Sequence, residues 1–351
     1  MRILELNFEK HWRGGERQTI YGIQGLVEAG QEAYLLCRKG SPLAEKARQV
    51  GINLVECESI WQVIRFLLTG AKNFDLLHCQ TSNMLTYCIA TKWLHKKPVV
   101  LSRRVSYIPE GFFTLFKYKR TNRIIAISNA VKNILFGKGI RNVGVISDIA
   151  VPITLDKNRA LKFLTSYNCN DKKIIATMAA FEAEKDPMTM VEAIKKLFDV
   201  RKDFIFFHFG QGSLLSEIKI KIREYGLENV YHTPGFVDNV QDFFAVMTVF
   251  TFSSIEEGLG SSILDAFLYK VPVASTNGGG LQDLVTSDRG LVSETKDARQ
   301  LADNIISLLD NESLKQKLLD NAFTYVHKEH SMVFITAKYL EEFKNLVDVL
   351  H

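Results

Sequence analysis

The sequence predicts an α/β protein built from two doubly wound domains, and three observations predict it. Apolar runs of strand length alternate with helix-period stretches, and this alternation restarts after Pro152. At 351 residues the chain is also longer than a single core usually serves.

The first series opens with RILEL as a strand, followed by a helix over about 16–29, and continues with AYLLC, INLV, DLLH, KPVVLS, RIIAIS and NVGVIS as strands. The second runs through KKIIATM, DFIFFHF, NVYHT, TVFTF, VPVAS and LVS, with helical stretches between them such as 188–199. The boundary falls near 148–156. A last helix over about 332–350 has no strand after it. Sheets wound in this way bind ligands beyond the carboxyl ends of their strands, so a cleft between the two domains is the expected site.

Composition narrows the class further. Hydrophobic residues at 46% and charged ones at 24% describe an ordinary globular chain. A net charge of +5 is mild, and with no zinc-finger, leucine-zipper or RNA-binding pattern the chain is not expected to bind nucleic acid. Five scattered cysteines without a CxxC pair fit a reduced, cytoplasmic compartment. The N-terminal MRILELNFEKHW lacks an apolar core with a cleavage site, and no run approaches the roughly 18 apolar residues of a membrane span. A soluble protein, or one peripheral on the inner face of a membrane, is the expectation.

The most informative segment is EGLGSSILDAFLYKVPVAST. Glu257 and Asp265 bracket the turn Gly258-Leu259-Gly260-Ser261-Ser262, which leads into an apolar helix beginning near Ser261. Glycines expose backbone N–H groups, the positive end of the helix faces the same point, and a diphosphate suits that place. The two carboxylates would accept hydrogen bonds from sugar and ribose hydroxyls. Each half alone has a plainer reading: a solvated loop acid, and an exposed helix position.

This block resembles the signature of glycosyltransferase family 4, EGxGxxxxE followed by a small-residue helix, PVVAT and a GGxxE loop. Glu257, Gly258, Gly260, Pro272, Val273, Gly279 and Gly280 fall on matching positions, and Asp265 and Asp283 stand where the family usually has Glu. The resemblance implies the GT-B fold, two Rossmann-like domains facing a cleft. Residues 1–152 would form the acceptor-side domain and 153–330 the nucleotide-sugar domain, with the terminal helix 331–351 packing back on the first. It also implies a retaining, metal-independent hexosyltransferase with no cofactor, using a UDP- or GDP-linked sugar as co-substrate. Glu257 would orient the sugar hydroxyls and Asp265 the ribose.

Other segments extend the resemblance. HWRGGER opens a helix with Gly14 and Gly15, a plain tight turn by itself; family 4 chains often carry GGxER here, which makes Gly15 a candidate donor or acceptor contact. The GxGxxG fingerprint of a nicotinamide oxidoreductase is missing. In AAFEAEKDP, Lys185 matches the family's phosphate-gripping Lys, while Ala180 stands in place of its Arg; without the family, Lys185 reads as a solvated loop lysine. FHFGQGSLL and HTPGFVDN resemble the family's GxG and GFV elements, so Gly210, Phe236 and Val237 are further donor candidates.

In the first half, Arg103 and Arg104 end a strand where family members often have a nearby His. Arginine cannot act as a base at neutral pH. It can bind an anionic acceptor or the donor phosphate, or the two can be a plain surface pair. Arg104 is taken as catalytic together with Glu257 and Lys185, and as an acceptor contact together with Arg103 and His78, which ends the strand DLLH; His78 reads equally well as a core histidine. Asp148 and Ile149 stand where the family often has an Asn-Gly turn. Segment 111–123 interleaves aromatics with four cations, which suits an acidic membrane surface or an amphipathic helix packed on the sheet.

The resulting expectation is a glycosyltransferase acting on a glycan or lipid-linked glycan acceptor, in polysaccharide or lipopolysaccharide biosynthesis of the cell envelope. A non-catalytic subunit that binds a sugar nucleotide or glycan is the rival, suggested by Ala180, Arg104 and the shortened acids.

Overall fold

The computed structural model describes residues 1–167, 169 and 171–348. The last positions of the expected terminal helix, 349–350, lie outside them. The chain divides into two compact units, one of Met1–Val151 with Glu329–His351 and the other of Pro152–Lys328.

In the first unit the strands are β1 (Arg2–Leu6), β2 (Glu32–Arg38), β3 (Asn53–Cys57), β4 (Leu76–Cys79), β5 (Val99–Arg103), β6 (Arg123–Ala126) and β7 (Val143–Val145). They form one parallel sheet in the order β3-β2-β1-β4-β5-β6-β7. β4 and β5 are buried along their whole length, which their apolar runs dictate: helices cover both faces of a parallel sheet. Helices start where a hydroxyl can cap them. Ser41, Ser59, Thr81 and Ser128 each accept a hydrogen bond from an amide of the first turn.

The helix Met332–Asp348 belongs to this unit. Its Ile335 and Phe343 join Ile3, Ile23 and Val100 in the core, and Glu342 pairs with Arg123 at 2.7 Å. Gly25 of the helix Gly14–Glu28 lets the two helices approach closely: a Cβ there would lie 2.1 Å from the Thr336 hydroxyl.

The second unit contains β8 (Lys173–Met178), β9 (Phe204–Phe209), β10 (Tyr231–Gly235), β11 (Val249–Phe252), β12 (Val273–Thr276) and β13 (Leu291–Ser293). They form a parallel sheet in the order β10-β9-β8-β11-β12-β13. β9, FIFFHF, is buried throughout, with Phe204, Phe206 and Phe207 fully enclosed; burying each ring contributes about 1.5–3 kcal/mol. The strand order reverses direction next to β8, so the loops after β8 and β11 flank the switch point where ligands bind in such sheets. Every strand expected from the sequence is present. No helix among the described residues is long and apolar enough to cross a membrane.

Candidate functional site

In the second unit the loops after β8 and β11 meet. Lys185 Nζ donates to Glu257 Oε2 at 2.5 Å, and Ser254 Oγ lies 3.4 Å from the same oxygen. Backbone contacts lock the two loops together: the amides of Ile255 and Glu256 donate to Glu184 O at 2.9 and 3.2 Å, and Ser253 Oγ donates to the Lys185 carbonyl at 3.0 Å. The carboxylate and the ammonium are both partly exposed, at 16% and 20% of their side-chain surface, so both can meet a ligand.

Glycines shape the ground beneath this pair. Gly279 adopts φ +58°, and a Cβ there would lie 2.5 Å from the Glu257 carbonyl oxygen; the Gly280 amide donates to that same carbonyl at 2.8 Å. Only a glycine accommodates both the left-handed backbone and the close approach. Gly260, at φ +86°, turns the chain into the helix Ser261–Leu268. Gly258, Leu259 and Gly260 are buried, Ser261 and Ser262 half-buried, and Asp265 is buried one turn into the helix.

On the neighbouring loop, Gly210 follows β9 at φ +151°, where a Cβ would strike the Ala179 carbonyl oxygen at 2.0 Å. The loops after β8 and β9 thus cross backbone to backbone, with the Phe181 amide donating to Gln211 O at 3.1 Å. Phe236 and Val237 follow β10; the Phe236 ring is 72% exposed and Val237 is half-buried.

The first unit has a pocket of about 500 Å³ beyond the carboxyl ends of β1, β4 and β5, lined among others by His11, Arg13, Gly15, Gln80, Arg103 and Arg104. Its helical wall begins at Gly14, and a Cβ at Gly15 would meet nothing within 4 Å. Glu16 pins the loop, accepting from the Arg13 amide at 2.9 Å and from the Asn7 side chain at 3.3 Å.

Arg104 is held from two sides. Its Nη1 donates to Gln80 Oε1 at 2.5 Å and its Nε to Asp148 Oδ1 at 3.2 Å. Burial works against its charge, but Asp148 with Tyr339 and Glu5 outweighs that and raises the guanidinium above its ordinary pKa. The two residues that depart most from the family pattern in this half are therefore partners. Asp148, standing where the resemblance led to an Asn-Gly turn, holds the arginine with its carboxylate.

Arg103 is only 3% exposed. Its guanidinium donates to the Tyr118 hydroxyl at 2.6 Å and to the Tyr107 carbonyl, which secures the loop that forms the pocket wall. His78, read as an acceptor contact or a core histidine, lies buried beside Gln80, Arg104 and Tyr339. It is 3% exposed and both ring nitrogens are engaged, Nδ1 with Glu5 at 2.9 Å and Nε2 with Ser102 at 2.9 Å. It does not line the 500 Å³ pocket.

Sequence reasoning missed Gln80, Asp148 and Ser254 as parts of these constellations. Gln80 carried a usable signal, since it follows β4 directly at the carboxyl edge of the sheet. Asp148 carried none for this pairing, because its partner Arg104 is 44 residues away, whereas Ser254 stands only three residues before Glu257, just upstream of the EGLG turn. Among the described residues no group of three or more His, Cys, Asp or Glu could hold a metal ion.

Comparison with known proteins gives the family and the fold. The family model described as Glycosyltransferase Family 4 matches residues 12–148, and that described as Glycosyl transferases group 1 matches residues 165–325. Together they span most of the chain, which belongs to the family 4 glycosyltransferases. It is 23% identical over 301 residues to the 2-deoxystreptamine N-acetyl-D-glucosaminyltransferase of Niallia circulans, covering 78% of this chain and 77% of that one. Over 172 residues it is 26% identical to the lipopolysaccharide core biosynthesis glycosyltransferase LpsE of Rhizobium meliloti, covering 49% of each. The fold matches that of Anabaena HepE, solved in complex with UDP and glucose, with a TM-score of 0.84, 18% identity and coverage of 99% of this chain and 100% of that one. The architecture is therefore GT-B, and the protein is a glycosyltransferase.

Proposed function

We propose that the protein is a retaining, metal-independent transferase that moves a hexose from a UDP- or GDP-linked donor to a glycan or lipid-linked glycan, in polysaccharide or lipopolysaccharide biosynthesis at the cytoplasmic side of the cell envelope. The observation that carries this reading is the pairing of Lys185 with Glu257 beside the start of the helix Ser261–Leu268. It sets a cation for phosphate next to a carboxylate for hydroxyls, with helix amides adding positive potential.

In this mechanism the acceptor oxygen bonds to the anomeric carbon as the bond to the diphosphate breaks, both on one face of the sugar. The acceptor hydroxyl's proton passes to the departing diphosphate oxygen. Lys185 and the amides of the 258–262 turn stabilise the charge that develops on the diphosphate, a contribution of about 2.7–4 kcal/mol for one preorganised donor. Glu257 orients the sugar hydroxyls, Asp265 the ribose, and Gly210, Phe236 and Val237 border the base. The 500 Å³ pocket of the first unit receives the acceptor, with Arg104 meeting an anionic group on it and Arg103 fixing the wall.

The names of the relatives support an acceptor that is itself a glycan or aminocyclitol, and the UDP of the Anabaena structure supports a uridine donor. The test is incubation with a panel of UDP- and GDP-sugars, following nucleotide release and the anomeric configuration of the product by NMR, with and without EDTA. Retention with EDTA-insensitive turnover is expected. Protection of the folded protein by a donor without any turnover would replace this reading with that of a non-catalytic binding subunit.

A further inference from the structure

One helical layer of the first unit is free of acidic residues. The helices Ile60–Thr69, Ser82–His95, Phe112–Arg120 and Asn129–Gly137 contain no Asp or Glu. Right-handed crossovers in the order β3-β2-β1-β4-β5-β6-β7 place these four on one face of the sheet; the opposite face receives Gly14–Glu28 and Pro42–Gln49, which carry Glu16, Glu28 and Glu45. Segregation of charge follows. The four helices carry Arg65, Lys92, Lys117, Lys119, Arg120 and Lys132 and no acid, in a chain whose net charge is only +5.

The same layer exposes large apolar side chains. Trp61 is 80% exposed, Trp93 72%, Phe112 76% and Phe113 82%. The first three helices pack side by side, and Lys92 ties the second to the third by donating to the Arg120 carbonyl at 2.9 Å. Exposed Tyr107 and Ile108 lead from the wall of the 500 Å³ pocket to Phe112.

We infer that this layer docks on a bilayer containing anionic lipid, with the aromatic rings at headgroup depth and the cations on lipid phosphates. The inference rests on the proposed reading in that a lipid-linked acceptor would then enter the pocket from the surface on which the protein sits. Charge alone would suit any polyanion. The rings decide for the membrane: a soluble polyanion would leave them in water, whereas tryptophan and phenylalanine next to lysine are the residues an interface takes up.

The test uses the full chain and phosphatidylcholine vesicles with and without phosphatidylglycerol. Co-sedimentation is expected only with the anionic vesicles, weakening with salt, together with a blue shift of tryptophan emission. Phe112→Ser/Phe113→Ser and Lys96→Glu/Lys119→Glu, all exposed positions, should each lower partitioning at least about tenfold while leaving the thermal unfolding profile in place. Absence of vesicle binding by the folded wild type overturns the inference. So does equal binding to both vesicle types that ignores the lysine pair. Binding to soluble dextran sulfate as tight as to vesicles, insensitive to the Phe pair, would assign the face to a polyanion instead. Donor protection in solution is measured in parallel; its loss would count against the transferase reading and leave docking untouched.

Discussion

Lys185 Nζ stands 2.5 Å from Glu257 Oε2 across 72 residues of sequence. The contact joins the loop after β8 to the loop after β11 and prepares opposite charges side by side before any donor arrives. Lys185→Ala is expected to lower kcat/KM for transfer by about 10²–10³, the effect of deleting one preorganised donor to a developing charge. Glu257→Gln keeps the shape and loses the charge, and should act mainly on kcat. Steady-state kinetics with a saturating donor separates the two.

Gly279 and Gly14 should respond very differently to alanine. At Gly279 the new Cβ meets the backbone of Glu257, at 2.5 Å from O and 2.8 Å from N, with φ at +58°. Gly279→Ala should destabilise the second unit by about 2 kcal/mol or more and distort Glu257. Gly14→Ala meets nothing within 4 Å in the first turn of its helix and should stay within about 0.5 kcal/mol of wild type. Thermal unfolding of both variants is the measurement.

Arg104 and Asp148 should behave as one unit. Asp148→Asn removes the countercharge behind the guanidinium, and Arg104→Lys cannot span Gln80 and Asp148 together. Each is expected to raise the acceptor KM by about tenfold, with a smaller change in kcat. Donor affinity, followed by thermal shift, should not move. A double-mutant cycle in which the two effects simply add would refute the coupling.

His208 supplies an acid-sensitive element of stability. Burial between the Phe181 ring, stacked at 3.8 Å, and Tyr231, whose hydroxyl lies 2.7 Å from Nδ1, lowers its pKa from 6.5 to about 3. Between those values the unfolded chain binds a proton that the folded one does not, so stability rises with pH. The contribution is complete above pH 6.5 and is lost as pH falls toward about 3, at up to about 1.4 kcal/mol per unit. His208→Phe should flatten the acid limb of a stability-versus-pH curve.

Much of the architecture was legible in the residues. Runs such as FIFFHF and KIIATM have no polar face to present to water, so they could only be strands buried on both sides, and their alternation with helical periods implied parallel sheets. The glycines of the 258–260 and 278–280 loops were readable as turns, and Gly260 and Gly279 indeed adopt the left-handed backbone that favours glycine. Harder to read were side chains whose meaning depends on a remote neighbour. Apart from the family resemblance, which marked it as a phosphate-gripping residue, Lys185 looked like a solvated lysine, and Asp148 like a misfit in a turn. His78 and Arg103 end strands at the edge that faces ligands in such folds, yet Glu5, Ser102, Tyr118 and Tyr107 enclose them.

By itself the sequence determined the elements, the parallel character of the sheets and the glycine-rich loops, since these follow from local periodicity and from steric limits on single residues. Which charges meet was decided only by the tertiary structure: the pairs Lys185 with Glu257 and Arg104 with Asp148, and the acid-free outer layer of the first sheet. The physical reason is range. Backbone preferences act over a few residues, whereas an ion pair acts through space, between atoms that only the folded chain brings within hydrogen-bonding distance.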